Sequence, residues 1–138
     1  MKLPGFLFTP ALWRFLVLLW FGTLYWLSSQ PHLPSPASFE GVDKLEHTTY
    51  FALGGVCFLL SLRLGGLART PVVAIGMTVL FCGLVGAFDE WHQTFTPGRS
   101  GGDVWDWTAD LSGGFVGAFI VLAASRWLPR REPQLQHN

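Results

Sequence analysis

Residues 89–110 read DEWHQTFTPGRSGGDVWDWTAD, directly after an uncharged run of 19 residues, Thr70 to Phe88. This polar stretch holds five of the chain's nine carboxylates, together with His92 and Arg99. Its reading decides the fold, because it separates two runs too apolar for a water-facing surface. Over 138 residues the composition is 50% hydrophobic and 13% charged, where a soluble domain carries about 25% charged residues. A single membrane-embedded domain is therefore predicted. Nucleic acid is not an expected partner, and the lipid bilayer is. Cys57 and Cys82 both lie inside apolar runs and are expected to be buried packing residues rather than a disulfide pair.

Outward from this stretch, four helices are predicted, at about 11–28, 43–63, 70–91 and 103–128, with a polar tail at 129–138. The first run, Ala11 to Leu27, is rich in bulky aromatics and lacks a small-x-small cleavage pattern just after it, so it reads as an uncleaved span rather than a signal peptide. The proline-bearing segment Ser28 to Val42 reads as an extended connection. Asp43 reads as the N-cap of the second helix, with Glu46 at its third position. The second and fourth runs have only 15 uncharged residues each, Thr48 to Leu62 and Leu111 to Ser125. At 1.5 Å per residue that is roughly 22 Å, short of a 30 Å hydrocarbon core. Both helices must therefore draw polar residues inward: Lys44 and His47 on one, Trp107 and Asp110 on the other. Small-residue pairs, Gly113 with Gly117, Gly114 with Ala118 and Gly83 with Ala87, predict close helix contact.

The fold class that follows is an all-α membrane protein, a bundle of four transmembrane helices with both termini cytoplasmic. In that orientation seven of nine cations lie inside and eight of nine acids outside, as the positive-inside rule prefers. Trp26, Trp91, Trp105 and Trp107 fall near the outer interface, Trp13 and Trp127 near the inner one, and Trp20 fits neither belt.

The ionisable residues then gather on the outer side. His47, Glu90, Arg99 and Asp106 are the catalytic candidates. Asp43, Lys44, Tyr50, Asp89, Gln93, Asp103 and Asp110 are the binding candidates. Asp103, Asp106 and Asp110, spaced three and four apart, share one face of the fourth helix. His47 and Asp110 lie about a turn inside the boundary, where ionisable groups are costly and are usually functional or paired. Each candidate also has a structural reading: the acids at helix starts as caps, Arg99 as an ion-pair partner, His92 as an interfacial residue. Gly98-Arg99-Ser100-Gly101-Gly102 matches G-x-S-x-G, but a nucleophile elbow needs a strand before it and a suitably placed later histidine. A glycine-rich lead into the fourth helix, with free N–H groups and Arg99 able to hold a phosphate, is preferred. No spacing such as H-E-x-x-H identifies a metal, so none is assigned, although carboxylates with His47 or His92 have the donor types for a divalent cation. No cofactor and no oligomeric state are specified.

Asp43-Lys44 with His47 and Tyr50, Asp89-Glu90 with Gln93, Pro97-Gly98-Arg99, and Asp106 with Gly113 follow one another at helix ends. In this order they resemble the VanZ-like family of small bacterial membrane proteins, named for a protein encoded with glycopeptide-resistance genes and associated with teicoplanin resistance. The resemblance covers Asp43 to about Gly117 and departs at Asp110, where the family pattern has asparagine. It implies a bacterial cytoplasmic-membrane protein of the cell envelope and brings no settled reaction.

Three functional readings follow. In the first, an outer-facing polar pocket recognises or processes the head group, anionic or lipid-linked, of an envelope lipid or a lipid-linked cell-wall precursor, with His47 or Glu90 as general base and Arg99 stabilising phosphate charge. The second is a small ion or proton pathway, and the third a scaffold or partner-binding module.

Overall fold

The structure, a computed structural model, describes residues 4–31 and 41–125. After a short 3-10 turn, Gly5–Phe8, come four helices: α1 (Pro10–Ser28), α2 (Val42–Leu64), α3 (Pro71–Gln93) and α4 (Val104–Ala124). No strand occurs among the described residues. All four helices are long and apolar enough to cross a membrane. At 1.5 Å per residue they measure about 28 to 35 Å, matching the hydrocarbon core. The predicted end of the fourth helix, 126–128, and the tail 129–138 lie outside the described residues.

Both short runs lengthen as expected. α2 contains Lys44 and His47, and α4 contains Trp107 and Asp110. The start of α2 corrects one expectation, because Gly41 is the N-cap and no side chain among the described residues caps the helix; Asp43 lies in its first turn instead. There its carboxylate accepts from Lys44 Nζ at 2.9 Å. Asp103 is a true N-cap, accepting from the Trp105 N–H at 2.7 Å.

The helices run up and down, and α4 is the hub, packed most extensively against α2 and next against α3. Its glycines make this possible. A Cβ on Gly113 would lie 2.5 Å from Thr48 O and 2.8 Å from Phe51 Cβ, and one on Gly114 would lie 2.8 Å from Cys82 Cβ. Two faces of one helix therefore carry backbone close to two neighbours, as small-x-x-x-small pairs allow. Gly83, from the third helix's predicted pair, lies under Leu111, and its carbonyl accepts from Trp107 Nε1 at 2.9 Å. Cys57 and Cys82 are both free and buried, as expected.

α1 is held chiefly on α2, and here Trp20 finds its explanation. Its ring lies over Gly54, its Nε1–H donates to Tyr50 O at 3.0 Å, and the Tyr50 hydroxyl donates back to Trp20 O at 2.9 Å. Trp20 is buried because it docks a helix; Trp26, Trp91 and Trp105 are exposed near the helix ends. Tyr50→Phe removes one of these hydrogen bonds and is expected to cost about 1 kcal/mol in reversible mixed-micelle unfolding. Unchanged stability would show that the Trp20 ring and its own Nε1–H bond dock α1 without the Tyr50 hydroxyl.

The two ends of the bundle differ in charge. The starts of α1 and α3 and the end of α2 carry Arg14, Arg69 and Arg63. The opposite end collects every described acid. Four antiparallel helices thus convert a pattern scattered through the sequence into one polar end, where the candidate residues meet.

Candidate functional site

Lys44 organises the first part of that end. Its ammonium donates to Asp106 Oδ1 at 2.6 Å, to Asp43 Oδ2 at 2.9 Å and to Asp103 Oδ2 at 3.1 Å, which uses all three of its protons. The spacing along α4 explains the convergence, because Asp103 and Asp106 lie one turn apart on the face turned to α2. The Trp105 backbone N–H, and then Lys44, hold the Asp103 carboxyl below its ordinary value. Its contribution is thus complete above the ordinary carboxylate range and is lost only as pH falls through that lowered value.

One turn deeper, His47 Nδ1 lies 2.9 Å from Asp110 Oδ1. A carboxylate at Nδ1 places the imidazole proton there and leaves Nε2 with a free lone pair. Nε2 faces Asp106, whose Oδ2 is 4.0 Å away. Asp110 is fully buried, and Gly86 of α3 makes the room, since a Cβ there would lie 3.0 Å from Asp110 Cβ. From α3, Glu90 completes the group. Its Oε2 accepts the Asp103 N–H at 2.7 Å, while Oε1 is buried with no hydrogen-bond partner among the described residues. One ligand-type atom from each of His47, Glu90 and Asp106 lies within 4.8 Å of the others. Three of the four catalytic candidates therefore converge, each from a different helix.

The fourth does not join them directly. Arg99 donates through Nε and Nη2 to Gln93 Oε1, at 3.3 and 3.1 Å. Gln93 Nε2 in turn donates to Asp89 Oδ2 at 2.8 Å, and Asp89 accepts from the Ser28 hydroxyl at the end of α1. Arg99 thus pairs with an amide, where the structural reading expected an acid. The chain Arg99–Gln93–Asp89–Ser28 ties the loop to α3 and α1 beside the main cluster. Tyr50 turns to α1, and the His92 ring packs 4.5 Å from Tyr25, so its contacts are aromatic.

At the start of α4, where a phosphate cradle is expected, the protein supplies acceptors of its own. The Asp103 N–H is taken by Glu90 and the Trp105 N–H by Asp103 itself. Two of the N–H groups at this helix start are thus occupied by the protein's own carboxylates. Ser100 is exposed in a loop between two helices, and the sheet that a nucleophile elbow requires is missing among the described residues.

Beside this cluster an open cleft of about 210 Å³ lies between α3 and α4, lined by Ala87, Glu90, Gly102, Asp103, Val104 and Trp107. Its wall is mostly apolar, and Glu90 and Asp103 are its link to the acids.

Sequence reasoning missed Ser28 and Gly86, and it placed Gly101 only in the glycine-rich lead to α4. A Cβ on Gly101 would lie 2.6 Å from Glu90 O, so the loop is pressed onto the end of α3. A signal did exist for Gly86: with Asp89, Glu90 and Gln93 it follows the i, i+3, i+4, i+7 pattern of one helix face, and all four are buried.

A family model described as VanZ/LLP1 matches residues 5–125. No curated protein and no solved structure matches the chain.

Proposed function

Since the chain belongs to the VanZ/LLP1 family, we propose that it recognises the polar head group of an envelope lipid at the acid-rich end of its bundle. The observation that carries this reading is that the polar cluster and the apolar cleft share Glu90 and Asp103. An amphiphile lying along α3 and α4 would place its chain in the cleft and its head group against Lys44, His47 and the acids. Both sides of the cleft belong to membrane-spanning helices, so a lipid reaches it sideways without leaving the bilayer.

The orientation follows from charge. With Arg14, Arg63 and Arg69 cytoplasmic, the cluster faces outward in a bacterial cytoplasmic membrane, in reach of lipid-linked cell-wall precursors. Five carboxylates, Asp43, Glu90, Asp103, Asp106 and Asp110, stand against one lysine. That balance favours head groups bearing hydroxyls or an amine, and a phosphate only with a cation between. An ion pathway has less support, because the Ser61 and Thr78 hydroxyls donate to carbonyls of their own helices and line no visible route.

Ala87 is exposed on the cleft wall, so Ala87→Phe fills the cleft without entering the packed core. It is expected to weaken retention of a co-purifying lipid about tenfold, a change of about 1.4 kcal/mol, as read by native mass spectrometry from nanodiscs of defined composition. Equal lipid occupancy in the variant and the wild type would refute the reading.

A further inference from the structure

We infer that His47, Glu90 and Asp106 form a binding site for one divalent transition-metal ion, Zn²⁺ or Mn²⁺. The site does not depend on lipid recognition. Its three donors come from α2, α3 and α4, with one ligand atom of each within 4.8 Å of the others. Donors of a tetrahedral ion at about 2.1 Å lie about 3.4 Å apart, so the site closes on a metal once its donor pairs draw together by up to about 1.4 Å. His47 Nε2 and Asp106 Oδ2, 4.0 Å apart, need the smaller part of that movement, about 0.6 Å.

Two further observations point to an ion rather than a chance meeting of polar groups. Glu90 is 5% exposed, and its Oε1 is buried without a hydrogen-bond partner among the described residues. Its other oxygen is fixed by the Asp103 N–H at 2.7 Å, so the carboxylate is held in place with one acceptor unused. A buried acceptor left this way is costly unless something positive meets it. His47 is also prepared as a ligand: Asp110 takes Nδ1 at 2.9 Å and leaves Nε2 for the metal, the carboxylate–histidine–metal arrangement. Asp106 divides its labour, with Oδ1 on Lys44 at 2.6 Å and Oδ2 toward His47.

The donor set narrows the ion. One imidazole and two carboxylates suit Zn²⁺ or Mn²⁺ better than Ca²⁺, which takes oxygen ligands, or Cu⁺, which takes sulfur. Lys44 opposes a nearby cation, but the five carboxylates leave room for a charge of two. Three protein ligands leave positions open for water or for a ligand oxygen.

The test uses full-length protein in lipid-free detergent, stripped with chelator and titrated with Zn²⁺, Mn²⁺ and, as a spectroscopic probe, Co²⁺. One ion per chain is expected, with affinity lowered at least about 100-fold by Glu90→Gln and about 10- to 100-fold by Asp110→Asn, which disturbs only the support of His47. Absence of saturable binding by the wild type, or wild-type affinity in Glu90→Gln, overturns the inference. A second reading needs no variant. With ¹⁵N-labelled histidine, Zn²⁺ should shift Nε2 of His47, and a titration that moves no histidine resonance also overturns it. Because lipid is absent, such a failure leaves the head-group reading untouched.

Discussion

Gly117→Val is expected to destabilise the bundle by about 3 kcal/mol or more. A Cβ at this position would press on Ala52 O and lie 3.0 Å from Val56 N and 3.2 Å from Gly55 C, all backbone of α2. Overpacking usually costs about 1–3 kcal/mol where flexible side chains can yield. Here the obstacle is backbone, so the two helices must move apart. The damage would reach the site, because the α2–α4 seam also sets His47 against Asp110 and Lys44 against Asp106. Gly22 and Gly76 provide the contrast: both lie within helices, and a Cβ on either would meet nothing within 4 Å. Alanine at those positions should be neutral or slightly stabilising. Reversible unfolding in mixed micelles would compare the three, and a Gly117→Val protein within about 0.5 kcal/mol of wild type would refute this account of the seam.

His47→Ala should cost about 3 kcal/mol, for an electrostatic reason. The side chain of Asp110 has no exposed surface, and that of His47 is 17% exposed. Removing the imidazole strands a buried carboxylate whose second oxygen, Oδ2, already lacks a hydrogen-bond partner among the described residues. Breaking a buried pair in this way typically costs about 3–5 kcal/mol, and partial access at His47 argues for the lower end. Adding Asp110→Asn removes the stranded charge, so the double variant should be more stable than His47→Ala alone. A double-mutant cycle measures this coupling. Strictly additive losses would mean that the two residues do not act as a pair.

How much of the site was legible depends on where each partner comes from. Asp103, Asp106 and Asp110 share a face by their spacing alone, and the shortfall in two apolar runs drew His47 and Asp110 into the bundle. Lys44 was placed at the same end, but that its ammonium spans three carboxylates from two helices is a tertiary fact. By sequence alone Arg99 reads as a phosphate ligand, because it sits in the glycine-rich lead into α4 with its N–H groups. Its hydrogen bonds to Gln93 depend on how the loop folds back onto α3. A metal could not be assigned from spacing, since the His47, Glu90 and Asp106 donors lie far apart in sequence and on separate helices.

The sequence by itself determined the number of spans, the segregation of acids from cations and the inward drift of His47 and Asp110. Each of these follows from transfer costs and helix rise, which act within a single helix. The tertiary structure alone decided which groups satisfy one another: Lys44 with three carboxylates, His47 with Asp110, Arg99 with Gln93, and Glu90 Oε1 with no partner among the described residues. Hydrogen bonds and ion pairs act over about 3 Å, so their pairing is set by how closely the glycines of α4 let the backbones of α2 and α3 approach.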